Sequence, residues 1–249
     1  MTIAGDVIVY NYATATQSGG SLTVGDGVSP DRAELYNAAA SVWNIADNSG
    51  ATRGADPASF IANAGLFEKT GGTGTSTIAT SVTNTGRILA ASGVVDFQGA
   101  VAGTGADSIS DASTLEFDSS AAAGQTVGFA GSGGTLIIGS LQTFAATLSG
   151  YDIGGAGGTN DAIRLLGSWS ETGFSENGGD TLGTLTLFNG TVHETLKFAG
   201  SYTSASFHVS RWTAVRTVRR LKAVASGEEI RPRRTDVAVC ERSSPCRFA

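Results

Sequence analysis

The residues whose types and spacing could do chemistry are three carboxylates, Asp96, Glu116 and Asp118. They sit in two look-alike strings, Val94-Val-Asp-Phe97 and Thr114-Leu-Glu-Phe117, so that Asp96-Phe97 aligns with Glu116-Phe117 twenty positions later. If neighbouring coils of a repeat carried these strings, the acids would form a stripe, and general acid–base catalysis needs paired groups at a defined separation. The other reading is a solvated outward face alternating with Val95, Phe97, Leu115 and Phe117. Residues 1–210 supply two lysines and four arginines to complete a charged groove, and so few cations favour the solvated face.

A second string, Gly154-Gly-Ala-Gly-Gly-Thr-Asn-Asp161, is similar to the Ca²⁺-binding nonapeptide repeat, with Asp161 as the ligand and Asp152 as a helper. Ca²⁺ takes about six to eight oxygens, several of them carboxylates. One degenerate copy offers few, so a plain glycine turn competes with the metal reading. The same string lacks the Gly-Lys-Ser/Thr ending of a phosphate loop. His193 and His208 fall on expected strands, and no Gly-x-Ser-x-Gly elbow accompanies them, so exposed strand histidines are expected rather than a hydrolase triad. Trp43 and Trp169 could stack on sugars or fill a core. Cys240 and Cys246, with five residues between them near the C-terminus, supply too few ligands for zinc and little support for a disulfide.

Short strands must position these residues. Glycine, 35 of 249 residues, is about double its usual ~7% share, and charged residues make up 15% against the usual ~25%. Chains rich in Gly, Thr, Ser and Val with little charge fold as many short strands joined by tight turns. Strand-like runs recur at 7–10, 21–24, 41–45, 66–69, 86–90, 94–97, 114–117, 126–129 and 135–139. One stretch, Asp31 to Trp43 after Pro30, has a helical start and an alanine run, and a helix is expected there unless 41–45 is a strand of the repeat.

Repetition fixes the architecture expected. Asn63-Ala-Gly-Leu-Phe aligns with Asn84-Thr-Gly-Arg-Ile at an offset of 21, pairing Asn63 with Asn84, Gly65 with Gly86, Phe67 with Ile88 and Gly72 with Gly93. A period near 20 matches the contour of one coil of a parallel β-helix, which stacks on its neighbours to bury its apolar faces. Repeated asparagines can then stack as a ladder. From about residue 141 the texture changes. Asn189-Gly190 marks a hairpin of the two-residue type, with Leu185 and Leu187 on one strand and Val192, Leu196 and Phe198 on the other. Glu194 interrupts the apolar face, so its strand is expected at an edge.

Residues 63–105 resemble the repeats of bacterial adhesin-like and autotransporter-passenger-like β-helical proteins. Residues 133–210 resemble a module that closes secreted repeat proteins of rhizobial-type bacteria, matched at Phe144 to Tyr151, Asp161-Ala-Ile-Arg-Leu165, Leu185 to Gly190 and Leu196 to Phe207. Arg164 stands where the module has a second aspartate, which counts against a cation there. The resemblance implies an all-β chain. Partial coils or a cap would occupy 1–62, solenoid repeats 63–140, a closing β module 141–210 and an irregular basic tail 211–249. It implies a structural or adhesive role at the cell surface or outside the cell, no catalysis, neighbouring coils, and host or surface glycans or proteins as partners.

Charge divides the chain at the same place. Residues 1–210 hold 6 Lys/Arg and 18 Asp/Glu, a net −12, whereas 211–249 hold 10 and 4, a net +6. An acidic body repels nucleic acid. The module continues in its relatives into Asp-Gly-x-Gly-Gly-Thr, and Arg211-Trp-Thr-Ala-Val-Arg216 read from the third base of its first codon can encode Asp-Gly-Gly-Thr. Two origins of the tail are compatible with this: a shifted reading frame, or a real basic tail. No run of 18 apolar residues occurs, and the first residues show neither a basic n-region nor an apolar h-region, so no Sec signal is expected.

Overall fold

A computed structural model describes residues 1–26, 32–152, 160–207 and 209. The described residues are all-β, and the strands up to Ala162–Leu165 pair not with the next strand but with the strand one repeat later. Three sheets result, visited in turn. Sheet A runs through Thr2–Ile3, Leu22–Val24, Ala51–Arg53, Thr75–Ile78, Val94–Phe97, Thr114–Phe117, Thr135–Ile138 and Ala162–Leu165, all parallel. Sheet B contains Ile8–Asn11, Glu34–Asn37, Phe60–Asn63, Ser81–Asn84 and Val101–Gly103. It is prolonged by single bridges from Val101 to Ala121 and on to Phe144. Sheet C starts at Thr14–Gln17 and continues through Val42–Ile45, Leu66–Lys69, Arg87–Ala90, Ala106–Ile109, Thr126–Phe129 and Thr147–Ser149.

The offsets of 21 and 20 are those of the strand register. Asn63 lies opposite Asn84, Phe67 opposite Ile88, Asp96 opposite Glu116 and Phe97 opposite Phe117. Strand side chains alternate faces with a period of two, so in-register parallel pairing lines up like positions into continuous rows. Sheet A sends in Leu22, Ala51, Ile78, Phe97, Phe117 and Ile138; sheet B sends in Leu35, Ile61, Val82 and Val101. These residues are buried and share one core with the inward row of sheet C.

Glycine makes the close stacking possible at the corner between sheets B and C. A Cβ on Gly86 would lie 2.2 Å from the carbonyl oxygen of Gly65, one repeat earlier.

The stretch 31–43 is not helical in its described part: Glu34–Asn37 and Val42–Ile45 are strands, joined by a turn in which Ala40 takes φ +64°. Parallel pairing on both sides of each strand outweighs the helix propensity of the alanines, which is worth only a few tenths of a kcal/mol per residue, ~0 to 0.7. Pro30 and Asp31 lie outside the described residues.

The closing segment adds the antiparallel strands Ser170–Glu176, Leu182–Phe188 and His193–Ala199 to sheet C. The hairpin is present, with Leu185 opposite Leu196, but its turn is longer than the expected two residues. Phe188 pairs with His193, and Asn189 Oδ1 accepts the N–H groups of Thr191 and Val192. The strand carrying Glu194 is not at an edge. His193–Ala199 pairs in parallel with Thr147–Ser149 on its other side, and Ser170–Glu176 forms the edge instead. Phe198 continues the inward row after Leu148, and the burial of that ring decides the placement over one charged residue at the far end. Tyr151, Phe174, Phe198, Tyr202 and Phe207 pack ring to ring there.

Gly86→Ala should lower the unfolding free energy by about 1–3 kcal/mol, the cost of overpacking against a neighbour that cannot yield. Urea denaturation should show this loss, and Gly20→Ala, where nothing lies within 4 Å of the added Cβ, should leave the midpoint nearly unchanged.

Candidate functional site

Asp96, Glu116 and Asp118 do converge. Parallel register sets Thr77, Asp96, Glu116, Ile137 and Arg164 in one outward row of sheet A. Each of the three acids can offer one carboxylate oxygen, and these oxygens all lie within 4.8 Å of one another. Burial is graded: Asp96 is buried, Glu116 half-buried and Asp118 exposed. Asp96 Oδ2 accepts from Gln98 Nε2 at 3.1 Å and from Thr77 Oγ1 at 3.3 Å. Such a group can share a proton or present oxygens to a hard cation.

Asp161 and Asp152 lie at the end of sheet A, and residues 153–159 between them are outside the described residues. Asp161 is buried, and both of its oxygens accept backbone donors: Gly134 N–H at Oδ1 (3.0 Å) and Asp152 N–H at Oδ2 (2.8 Å). Asp161 N–H in turn donates to Asp152 O at 3.1 Å. The carboxylate thus staples two chain segments. Its charge, after burial, also helps hold the Tyr151 hydroxyl above its ordinary pKa.

Trp43 belongs to the inward row of sheet C, buried between Ala15 and Phe67, with its indole N–H on Gln17 Oε1 at 3.1 Å. Trp169 packs against the core edge and donates to Leu166 O. His193 is exposed, stacks on Phe188 and meets Thr172 Oγ1 at 3.3 Å, the one polar side chain hydrogen-bonded to it among the described residues. His208, Cys240 and Cys246, with the tail from 210 onward, lie outside the described residues.

Three polar features escaped the sequence reading in whole or part. The first is an internal asparagine ladder longer than the Asn63–Asn84 pair. Asn11 Nδ2 donates to Asn37 Oδ1 (2.8 Å), Asn37 to Asn63 (2.7 Å) and Asn63 to Asn84 (2.8 Å). The second amide hydrogen of each of the first three goes to a main-chain carbonyl, of Val42, Leu66 and Arg87 in turn. The ladder stops where Gly103 takes the next position. There Asn84 Nδ2 meets Asp107 Oδ1 (2.9 Å) and Gln125 Oε1 (3.1 Å), and Gln125 Nε2 turns back to the carbonyls of Asn84 and Ala102.

Asp107 is the second. It occupies the apolar inward row of sheet C, between Ile88 and Val127. Its Oδ2 is buried without a hydrogen-bond partner among the described residues. Desolvation pushes its pKa up to about 7, against a smaller lowering by Asn84. Lys69, the third, is a fully buried inward residue in the row of Ile45 and Ala90. Its ammonium donates to Asp47 O, Asn48 Oδ1 (3.2 Å) and Gly71 O (2.6 Å). Burial lowers its pKa, and the Asp47 charge opposes that.

Outside sheet B, Tyr10, Tyr12 and Tyr36 form a strip: Tyr10 and Tyr12 stack at 5.6 Å, and Tyr36 meets Tyr10 edge-on. No described helix is long and apolar enough to cross a membrane. No protein-family model, curated protein or solved structure matches the chain.

The Asp107 geometry predicts a pH dependence. A carboxyl that titrates near 7 when folded and near 3.8 when unfolded favours the folded state in full below about pH 4. That contribution is lost as pH rises through 7, on the order of 4 kcal/mol in all. Urea titrations from pH 4 to 8 should show wild-type stability falling relative to Asp107→Asn, whose side chain keeps the acceptor for Asn84 but does not ionise.

Proposed function

We propose that this chain is a structural or adhesive β-repeat module of a secreted or cell-surface bacterial protein, built as a parallel β-helix, or β-solenoid. The observation that carries this reading is the unbroken parallel register, with polar and apolar rows each continued from repeat to repeat. In such a chain the specific contacts are internal: an amide ladder, stacked aromatics and glycine corners hold successive coils together. The outward strand positions are mainly uncharged, and such a face suits projecting, spacing or sticking. Neighbouring coils, and glycans or proteins of a host or cell surface, are the partners of such a module. Export fits the acidic, lysine-poor sequence of residues 1–210.

One observation favours a second reading, a carbohydrate-active enzyme. The acids of Asp96, Glu116 and Asp118 stand close enough to act together. A third reading, a Ca²⁺-dependent secreted module, rests on Asp161 and Asp152; it requires Ca²⁺ to raise the melting temperature and Asp161→Ala to abolish the rise.

Incubation with a panel of acidic and neutral polysaccharides separates the first two readings. The module should bind one or more of them, or a matrix protein, saturably and release no new reducing or unsaturated ends. Turnover that disappears in both Asp96→Asn and Glu116→Gln would establish the enzyme instead.

A further inference from the structure

We infer that the N-terminal end of the three sheets is a docking edge for one further parallel coil, supplied by another polypeptide segment that carries an asparagine at the ladder position. The inference rests on the stacked-coil reading above and names the partner of one end of it.

Polarity is the first argument. Every rung of the ladder donates its amide toward the C-terminal end, and every rung after the first accepts from the rung before. Asn11 is the first rung. Among the described residues its Oδ1 accepts only the nearby Ala13 N–H at 3.3 Å. Asn11 itself donates to Asn37 Oδ1 and to Val42 O, and Val42 pairs in register with Thr14. An incoming coil in the same register would therefore place its amide on Asn11 Oδ1 and Thr14 O.

The backbone makes the second argument. Thr2–Ile3, Ile8–Asn11 and Thr14–Gln17 begin sheets A, B and C, each paired on one side among the described residues. Exposed sheet edges are normally guarded by charge, proline or a bulge. Residues 7–17, Val-Ile-Val-Tyr-Asn-Tyr-Ala-Thr-Ala-Thr-Gln, contain no charge and no proline. The inward rows of sheets B and C also end unfinished: Val9 and Ala15 are half-buried, whereas the residues stacked on them, Leu35 and Trp43, are buried. Val7, Ile8, Tyr10 and Tyr12 are 45–75% exposed around the same edge.

Polarity also decides against a second copy of the chain. Two N-terminal edges face to face would bring two Asn11 acceptors together without a donor. At the other end the ladder terminates internally on Asp107 and Gln125, and sheet C is continued there by the antiparallel closing strands. Strand addition takes affinity from main-chain hydrogen bonds and specificity from side chains that fit the edge, and here the specifying side chain is a primary amide.

The test uses the full chain and a synthetic peptide of residues 58–69, Ala-Ser-Phe-Ile-Ala-Asn-Ala-Gly-Leu-Phe-Glu-Lys, which spans one sheet-B strand, the glycine corner and one sheet-C strand. The peptide should bind saturably and slow amide exchange in residues 8–17, and its Asn63→Leu version should bind at least tenfold more weakly. The same peptide joined to Met1 through a flexible linker acts at millimolar effective concentration and should raise the melting temperature above that of its Asn63→Leu counterpart. Equal behaviour of the two versions in both formats overturns the inference, as does a concentration-dependent dimer that protects residues 8–17 without peptide. Asn37→Leu in the parent chain separates the two failures. A lowered melting temperature with no peptide effect rejects the docking edge alone, whereas an unchanged melting temperature rejects the stacked-coil reading beneath it.

Discussion

In-register parallel pairing between one repeat and the next is the constraint on which the rest of this structure depends. Because a strand side chain keeps its face only while the register holds, a slip of one residue would turn Phe97 and Phe117 outward and Asp96 and Glu116 inward. Apolar contact alone would not forbid other registers, since neighbouring inward positions are often interchangeable in size. The asparagines do forbid them. An amide two positions out of place would leave a buried donor and acceptor unmade, at about 1–3 kcal/mol each. The ladder from Asn11 to Asn84 therefore acts as an internal ruler for sheet B, and the glycine corner allows successive repeats to approach closely enough for it to form.

The place where the ruler ends is chemically the least comfortable part of the core. Gly103 removes the next amide, and the chain answers with a carboxyl in a row of apolar side chains and a glutamine that folds back over the gap. Asp107 and Gln125 together satisfy Asn84 without extending the series. The core changes character beyond this point. Aromatic contacts take over, from the edge-on pair of Phe117 and Phe144 to the tilted rings of the cluster at Phe198 and Phe207, and the closing antiparallel strands follow.

Much of this was legible in the sequence where the period was regular. Between residues 63 and 124 the loops are short, so like residues recur at 20 or 21 and the partners Asn63–Asn84 and Asp96–Glu116 can be aligned by eye. Earlier repeats carry longer connections: Asn11, Asn37 and Asn63 are 26 apart, and the longer spacing hid two rungs of the ladder. The same irregularity let an alanine run between Glu34 and Val42 pass for a helix. Asp107 and Lys69 were illegible for another reason. Alternation patterns assign charged residues to the outside, and only three-dimensional neighbours reveal a carboxyl or ammonium pointing inward. The edge position expected for Glu194 failed likewise, because the residues that pair in parallel with Lys197–Ala199 lie 50 residues back in the chain.

Lys69 gives the structure a built-in reporter. Residues 1–210 contain two lysines; Lys197 points to solvent, and Lys69 is enclosed by three neutral oxygens with no exposed surface. An acylating reagent meets one amine at once and the other only when the corner formed by Asp47, Asn48 and Gly71 comes apart. The ratio of the two modified lysines thus measures how often that corner opens in the native protein, without a denaturant or an introduced label.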